Sequence, residues 1–319
     1  MPDVLCLGII VADMVAKPVI STPPKGGLTL VNSIQLHMGG CAANTASALS
    51  KLGFTSSVCG MVGQDSLGEV LINKLQENNV NTEHIRKNTS ADTSSSMVLV
   101  DNTGERSFIH CTGANGVFSA ADVDMGSLND TKILHIAGTL LMPAFDGEPC
   151  AEILRQAKSR GITTTMDTAW DDSGLWMKAV EQSLPYVDVF IPSLSEARML
   201  TKKEDLREMA QVFLDGGVQT VVIKLGTEGC YIKTLDTEYN IKPFHVNAVD
   251  ATGAGDCFVA GYLAGMLQGL PHNQCGQLAN ATGAMSVTSV GAANGVKSFA
   301  DTITFINKHL GQEGHKWQQ

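Results

Sequence analysis

Short apolar runs return along this chain at intervals filled by longer amphipathic stretches, and that alternation limits the fold more than any other feature. Val4 to Val11 reads as a buried strand, and KILHIA from Lys132, TTTMD from Thr163, VDVFI from Val187 and TVVIKL from Thr220 read as further strands. Between them lie helical periods: Asn44 to Leu52, PCAEILRQAKSRG, and VLINKLQENNV with Val70, Leu71 and Leu75 on one face. Strands alternating with helices pair in parallel, so the predicted fold class is α/β, a central and mostly parallel sheet flanked by helices on both faces.

Two stretches break the rhythm. LTLVNSIQL (28–36) looks like a strand with no helix after it, and SSSMVLV and ERSFIHC look like a hairpin joined across DNTG (101–104). Asn102 and Gly104 supply the turn chemistry. A few antiparallel strands inserted in this way would form a small β lid over one end of the sheet.

With 319 residues, one large domain plus an appendage is expected, and 44% hydrophobic with 17% charged residues describes an ordinary globular chain. The net charge of −10 argues against a nucleic-acid-binding face, though it leaves room for a local basic pocket. Eight cysteines stand singly with no CxxC pair, which excludes the usual zinc and thioredoxin spacings; they read as small buried side chains in a reducing compartment. The opening MPDVLCLGIIVADMV lacks a basic n-region, and no apolar run is long enough to span a bilayer. The expectation is a cytoplasmic protein without membrane or nucleic-acid partners.

The chemistry concentrates in DATGAGD, residues 250–256. YNIKPFHVNAV before it is extended in character, and the apolar positions 258, 259, 262, 263, 266 and 267 after it mark one helical face that ends near Gly269 and Pro271. Gly253, Ala254 and Gly255 therefore fall at a strand-to-helix junction, where free N–H groups and the helix dipole welcome an anion. Asp256 in the first turn has a plain reading as a helix cap. A carboxylate beside an anion hole also suits phosphoryl transfer to an alcohol, in which one accepts the hydroxyl proton and the other steadies the phosphate. No GxxxxGK[ST], dinucleotide-binding GxGxxG, GxSxG or HExxH pattern competes. A second glycine pair, Gly39 and Gly40, opens a helix with Asn44 near its first turn; taken alone it reads as a tight turn, and Asp13 alone as a solvated loop acid.

Together these pieces resemble the ribokinase-like (PfkB) family of carbohydrate kinases. GGCAANTASALSKLGFTSSVCGMVGQDSLG is similar to that family's N-terminal signature and DATGAGDCFVAGYLAG to its C-terminal one, with GIIVAD before them, GANGVFS and VVIKLGTEG between them and MSVTSVGAANGV after them, in the family's order. The resemblance implies a catalytic domain from 1–13, 37–92 and 112–319, a β lid from 14–36 and 93–111, and a homodimer formed through the lids. It places Asp256 as catalytic base with Gly253, Ala254 and Gly255 as the anion hole. Asp13, Gly39, Gly40 and Asn44 would hold the acceptor's hydroxyls. Lys224, Gly226, Gly229 and Asn280 would bind ATP, and Glu196 would organise Mg2+ through water. Asp250 and Thr252 are the candidate monovalent-cation (K+) position, together with the loop around Gly291.

Departures from the family pattern are equally informative. Ser193 replaces the asparagine of the NxxE motif, Cys41 stands where ribokinases carry lysine in GGKGAN, and AGTLLMPAFDGEP has no counterpart of their ribose-gripping glutamate. Arg106 in GERSF is a candidate for an acidic or phosphorylated substrate, against a solvated lid arginine. Asp167 should end its strand near the nucleotide side or the active-site mouth, while Trp170 and Trp176 read as packing aromatics. The expected activity is an ATP-dependent kinase acting on a primary hydroxyl of a sugar or sugar acid. A nucleoside kinase and a catalytically silent sugar or nucleotide sensor are the alternatives.

Overall fold

The computed structural model describes residues 2–312 apart from 103 and 130. In chain order the first elements are β1 (Val4–Gly8), β2 (Val11–Lys17), β3 (Ser33–Gly39), α1 (Cys41–Leu52), β4 (Ser56–Gly63), α2 (Ser66–Glu77) and β5 (Asn81–Asn88). They are followed by β6 (Ser95–Val100), β7 (Arg106–Cys111), α3 (Gly113–Val117), β8 (Ile133–Thr139), α4 (Glu148–Ser159), β9 (Thr163–Thr168), α5 (Met177–Val180) and β10 (Val189–Phe190). The remainder comprises α6 (Leu194–Thr201), α7 (Leu206–Asp215), β11 (Thr220–Lys224), β12 (Cys230–Lys233), β13 (Glu238–Ile241), α8 (Ala254–Leu267), α9 (His272–Ser286) and α10 (Phe299–Gln312).

Nine strands form one sheet in the order β13-β12-β11-β10-β9-β8-β1-β4-β5. Pairing is parallel from β11 through β5 and antiparallel only at the β11-β12-β13 edge. Successive side chains of a strand face opposite ways, and β1 shows the consequence. Val4 and Cys6 enter the core that contains Ala46, Leu49 and Leu263, while Leu5 and Leu7 enter the one that contains Phe145, Leu154 and Phe213. Burial on both faces is why β1 reads as an unbroken apolar run. Each such aliphatic side chain contributes about 1.5–3 kcal/mol by leaving water. Among the described residues no helix is long and apolar enough to cross a membrane.

Four expectations need correction. The run Val4–Val11 is two elements, because the chain leaves the large sheet after Gly8 and enters a second sheet at Val11. That second sheet has the order β3-β2-β6-β7, and the hairpin across 101–104 is its β6-β7 pair. In LTLVNSIQL only Ser33 onward is strand; Leu28 and Leu30 are exposed at 82% and 87%. VDVFI contributes a strand of only two residues, Val189 and Phe190. Helix α8 does not present one apolar face, since every residue from Cys257 to Gly265 is buried. It runs between α1 and α9, and a Cβ on Gly261 would stand 2.8 Å from the Ala279 Cα, so the close α8–α9 crossing requires glycine there.

Six of the cysteines are buried as expected, but Cys41 is half-buried and Cys111 exposed, and all eight are free thiols. At the end of β8, Asp146 accepts the N–H groups of Leu140 and Met142 on one oxygen, each at 3.1 Å. It thereby holds Leu140 at φ +85°, a conformation costly for leucine. Burial pushes the Asp146 carboxyl up to about 7. An acid whose folded pKa lies above its unfolded value destabilises increasingly as pH rises between the two. The wild-type Tm is therefore expected to fall from pH 5 to pH 8 by a component that Asp146→Asn removes. Parallel Tm–pH curves for the two proteins would exclude this.

Candidate active site

The C-terminal ends of β8, β9 and β11 meet the first turns of α1 and α8, the end of an open α/β sheet where ligands commonly bind. Helix α8 starts at Gly253, which has φ +69° and whose Cβ would lie 2.5 Å from that of Ala292. The residues before it are not a strand: β13 ends at Ile241, and an irregular segment leads to the helix. The strand-to-helix junction of the sequence reading is thus a loop-to-helix junction. Ala254 N–H bonds back to Ala251 O at 3.3 Å, tightening the turn in which Gly253 and Gly255 lie.

Asp256 occupies the first turn. Asn44 Nδ2 donates to its Oδ2 at 2.8 Å, and Thr45 Oγ1 donates to its main-chain oxygen at 3.3 Å, so α1 clamps α8 at this point. Burial raises the Asp256 carboxyl above its ordinary range, opposed by the Asn44 hydrogen bond and by Lys224. Asn44 is 4% exposed, and its Oδ1 has no protein partner.

Lys224, the last residue of β11, faces several acids. Burial would depress its ammonium, but Asp167, Glu196 and Asp256 raise it beyond its ordinary value. Asp167 is buried in β9, accepts Gly138 N–H at 2.7 Å, and is pushed by burial up to about 7. Behind it His135 is driven by burial down to about 3 and is a neutral ring, with Nε2 3.9 Å from Asp167 Oδ2. Ligand atoms of Cys41, Asp167 and Asp256 all lie within 4.8 Å of one another. Cys41 and Asp167 were absent from the predicted site set. The signal for Asp167 was an acid closing an apolar strand, and that for Cys41 was its place where ribokinases carry lysine in GGKGAN; neither showed that the two meet Asp256.

Asp13 is not a loop acid. It sits within β2, 8% exposed and hydrogen-bonded to Ser96, and burial lifts its carboxyl to about 6. A Cβ on Gly39 would fall 2.0 Å from Asp13 Oδ2, and one on Gly40 (φ +91°) 2.4 Å from Ile9 O. The glycine pair therefore makes room for the Asp13 carboxylate and turns the chain into α1.

Lys224, Gly226, Gly229 and Asn280 border one cavity of about 300 Å³ whose apolar wall includes Phe244, Phe258, Ala284 and Val287. Asn280 donates to Ile241 O at 3.2 Å and Lys242 O at 2.9 Å, pinning the wall of that cavity. The wall was missed because the segment after Ile241 reads as extended while it actually wraps the cavity. Glu196 lies beyond Lys224, where its Oε2 accepts Ser193 N–H at 2.8 Å and Thr168 Oγ1 at 3.0 Å. Ser193 Oγ returns the bond by accepting Glu196 N–H, so the serine caps α6 as asparagine would.

Asp250 Oδ1 accepts both the N–H and the hydroxyl of Thr252, at 2.9 and 2.6 Å, and its Oδ2 accepts Gly291 N–H at 2.9 Å. Arg106 reaches across from β7 and donates to Thr252 Oγ1 at 2.6 Å, so it is not a freely solvated arginine. Trp176 is buried at 6% and meets Trp170 edge-on at 5.0 Å, but Trp170 is 54% exposed and thus only half a packing residue.

Comparison with known proteins identifies the family of the chain. Residues 1–298 match the model of the pfkB family carbohydrate kinases. A ribokinase from Haemophilus influenzae is 29% identical over 305 residues, covering 94% of this chain and 97% of the relative. An uncharacterised sugar kinase from Archaeoglobus fulgidus is 30% identical over 258 residues, covering 79% of this chain and 99% of its own. A putative ribokinase II from E. coli, solved with ATP and Mg2+, superposes with a TM-score of 0.84 at 25% identity, covering 97% of this chain and all of the other.

Proposed function

The chain belongs to the pfkB family of carbohydrate kinases and is a phosphotransferase of the ribokinase fold, and from that premise we propose that it transfers the γ-phosphoryl group of ATP to a primary hydroxyl of a sugar or sugar acid. The observation that carries this reading is the Asp256 carboxylate, held at 2.8 Å by Asn44 in the first turn of α8 and next to Gly255 on the rim of the cavity that Lys224 closes. Asn44 Oδ1 and the Asp13 carboxylate orient acceptor hydroxyls, with Gly39 and Gly40 giving the backbone approach and Arg106 at the outer edge. The Asp256 carboxylate accepts the proton of the attacking hydroxyl. The new oxygen–phosphorus bond forms as the bridging bond to ADP breaks, and the proton stays on Asp256.

The helix N-terminus at Gly253, Ala254 and Gly255 and the Lys224 ammonium offset charge on the transferring group. The adenine lies against Phe244 and Phe258, with Gly226, Gly229 and Asn280 shaping the rest. Glu196 is a single carboxylate supported by two hydroxyl residues, a donor set that fits Mg2+ with retained waters. Bound there, Mg2+ supplies charge neutralisation to phosphate oxygens; orientation of the acceptor and removal of its proton belong to protein side chains. For K+ the fit is poorer, because both Asp250 oxygens already carry protein donors and Thr252 accepts Arg106.

Residues 14–36 and 93–111 act in this reading as a lid that excludes water during transfer. The face of the second sheet that carries Ile34, Met97 and Ile109 (61%, 55% and 59% exposed) fits a matching face on a second copy. Sedimentation should give a dimer that Ile109→Lys converts to monomer; a monomeric wild type would reject that assembly. The kinase itself is tested by ADP release from ATP and Mg2+ across pentoses, hexoses, keto-deoxy sugar acids and nucleosides. Acceptor-dependent turnover establishes the reaction, and ligand binding without turnover would leave a sensor.

A further inference from the structure

We infer that the acceptor carries an anionic group, a carboxylate or a phosphoester, bound between Lys17 and Arg106 at the far end of the cleft from Asp256. This deepens the kinase reading and rests on it.

A space of about 250 Å³ opens between the second sheet and the loop of Asp250, Thr252 and Gly291, with Lys17, His37 and Arg106 on the sheet side. The chain holds 32 acids against 22 lysines and arginines. Even so, neither Lys17 nor Arg106 has a carboxylate within ion-pair distance among the described residues. The acid nearest to hand, Asp250, already accepts three hydrogen bonds from Thr252 and Gly291 and does not bond to the guanidinium. Arg106 is held at the wall of this space by its bond to the Thr252 hydroxyl, which takes up one of its five N–H donors.

The register supplies the distance. Asp13 and Lys17 lie four residues apart on β2 and point to the same side, which separates their Cα atoms by about 13 Å. Asp13 feels the charges of both Asp256 and Arg106, and Arg106 is bonded to Thr252, four residues before Asp256, so both ends of the cleft are within its reach. A sugar bound through Asp13 with its reacting hydroxyl at Asp256 therefore directs its opposite end to Arg106 and Lys17. An anionic end forms charge-assisted bonds with the half-buried Arg106 guanidinium and the exposed Lys17 ammonium, which a neutral end does not.

The test uses the full chain with Mg–ATP and three sets of acceptors: fructose and ribose as neutral probes, gluconate and a 2-keto-3-deoxy sugar acid as carboxylates, and fructose 1-phosphate and fructose 6-phosphate as phosphoesters. One charged set is expected to have the lowest KM, which also tells carboxylate from phosphate. Arg106→Gln should raise that KM by about 10- to 100-fold, several times more than it raises the KM of either neutral probe, and Arg106→Lys should recover part of the loss. Thermal shift by the charged probe, abolished in Arg106→Gln, reads the same site without turnover. Neutral probes used as well as charged ones would overturn the inference, as would an Arg106→Gln loss equal for all acceptors, which would make the arginine only a prop for Thr252. Failure of every acceptor to release ADP, with the charged-probe shift intact and Arg106-dependent, would sink the kinase reading and keep this one.

Discussion

Asp256→Asn is expected to lower kcat by about 10²- to 10⁴-fold, the usual worth of a positioned general base, with KM for ATP changed little. Asparagine keeps the size of the side chain and can still accept from Asn44, so α1 and α8 stay joined. Only the capacity to take a proton is lost. The wild type should also show an acid limb. Because burial raises the Asp256 carboxyl, activity that needs its ionised form declines as pH falls through a value above the ordinary aspartate range. Residual turnover in the variant should lack that limb. A loss smaller than tenfold would reduce Asp256 to the partner of Asn44 that joins α1 to α8; it is not the helix cap of the sequence reading, because Gly253 occupies that position without a side-chain cap bond.

Lys224→Met carries the second large effect. The ammonium faces Asp167, Glu196 and Asp256 from the end of β11 and borders the nucleotide cavity. Its removal withdraws a counter-charge from three acids and, on the proposed mechanism, a charge-assisted contact from the phosphates. We expect kcat/KM for ATP to fall by about 10²- to 10³-fold. The acid limb should move to higher pH, since Lys224 is one of the groups that hold Asp256 and Asp167 down. An unmoved limb together with an unchanged KM for ATP would show that Lys224 is only the polar member of an alternating strand.

Local pattern made much of this protein legible before its fold was known. The DATGAGD turn could be read because its glycines and acid act within one helical turn, and α8 does begin there. The parallel sheet was readable from apolar runs such as that of β1, since a strand covered on both faces cannot alternate polar and apolar residues. Burial around α8 was not readable, because a helix enclosed on all sides leaves no periodicity to detect.

What the amino-acid order determined by itself was therefore local: strand and helix periods, the turn of Gly253, and the residue types able to cradle an anion beside a base. Tertiary structure alone decided which distant groups meet. It brought Asn44 to Asp256 across 212 residues, Arg106 to Thr252 across 146, and Cys41 and Asp167 to the same carboxylate. It also turned Asp13 from an apparent loop acid into a buried member of a second sheet. The physical reason is that periodicity and turn chemistry act over a few residues, whereas a pKa and a hydrogen bond depend on what packing places within a few ångströms.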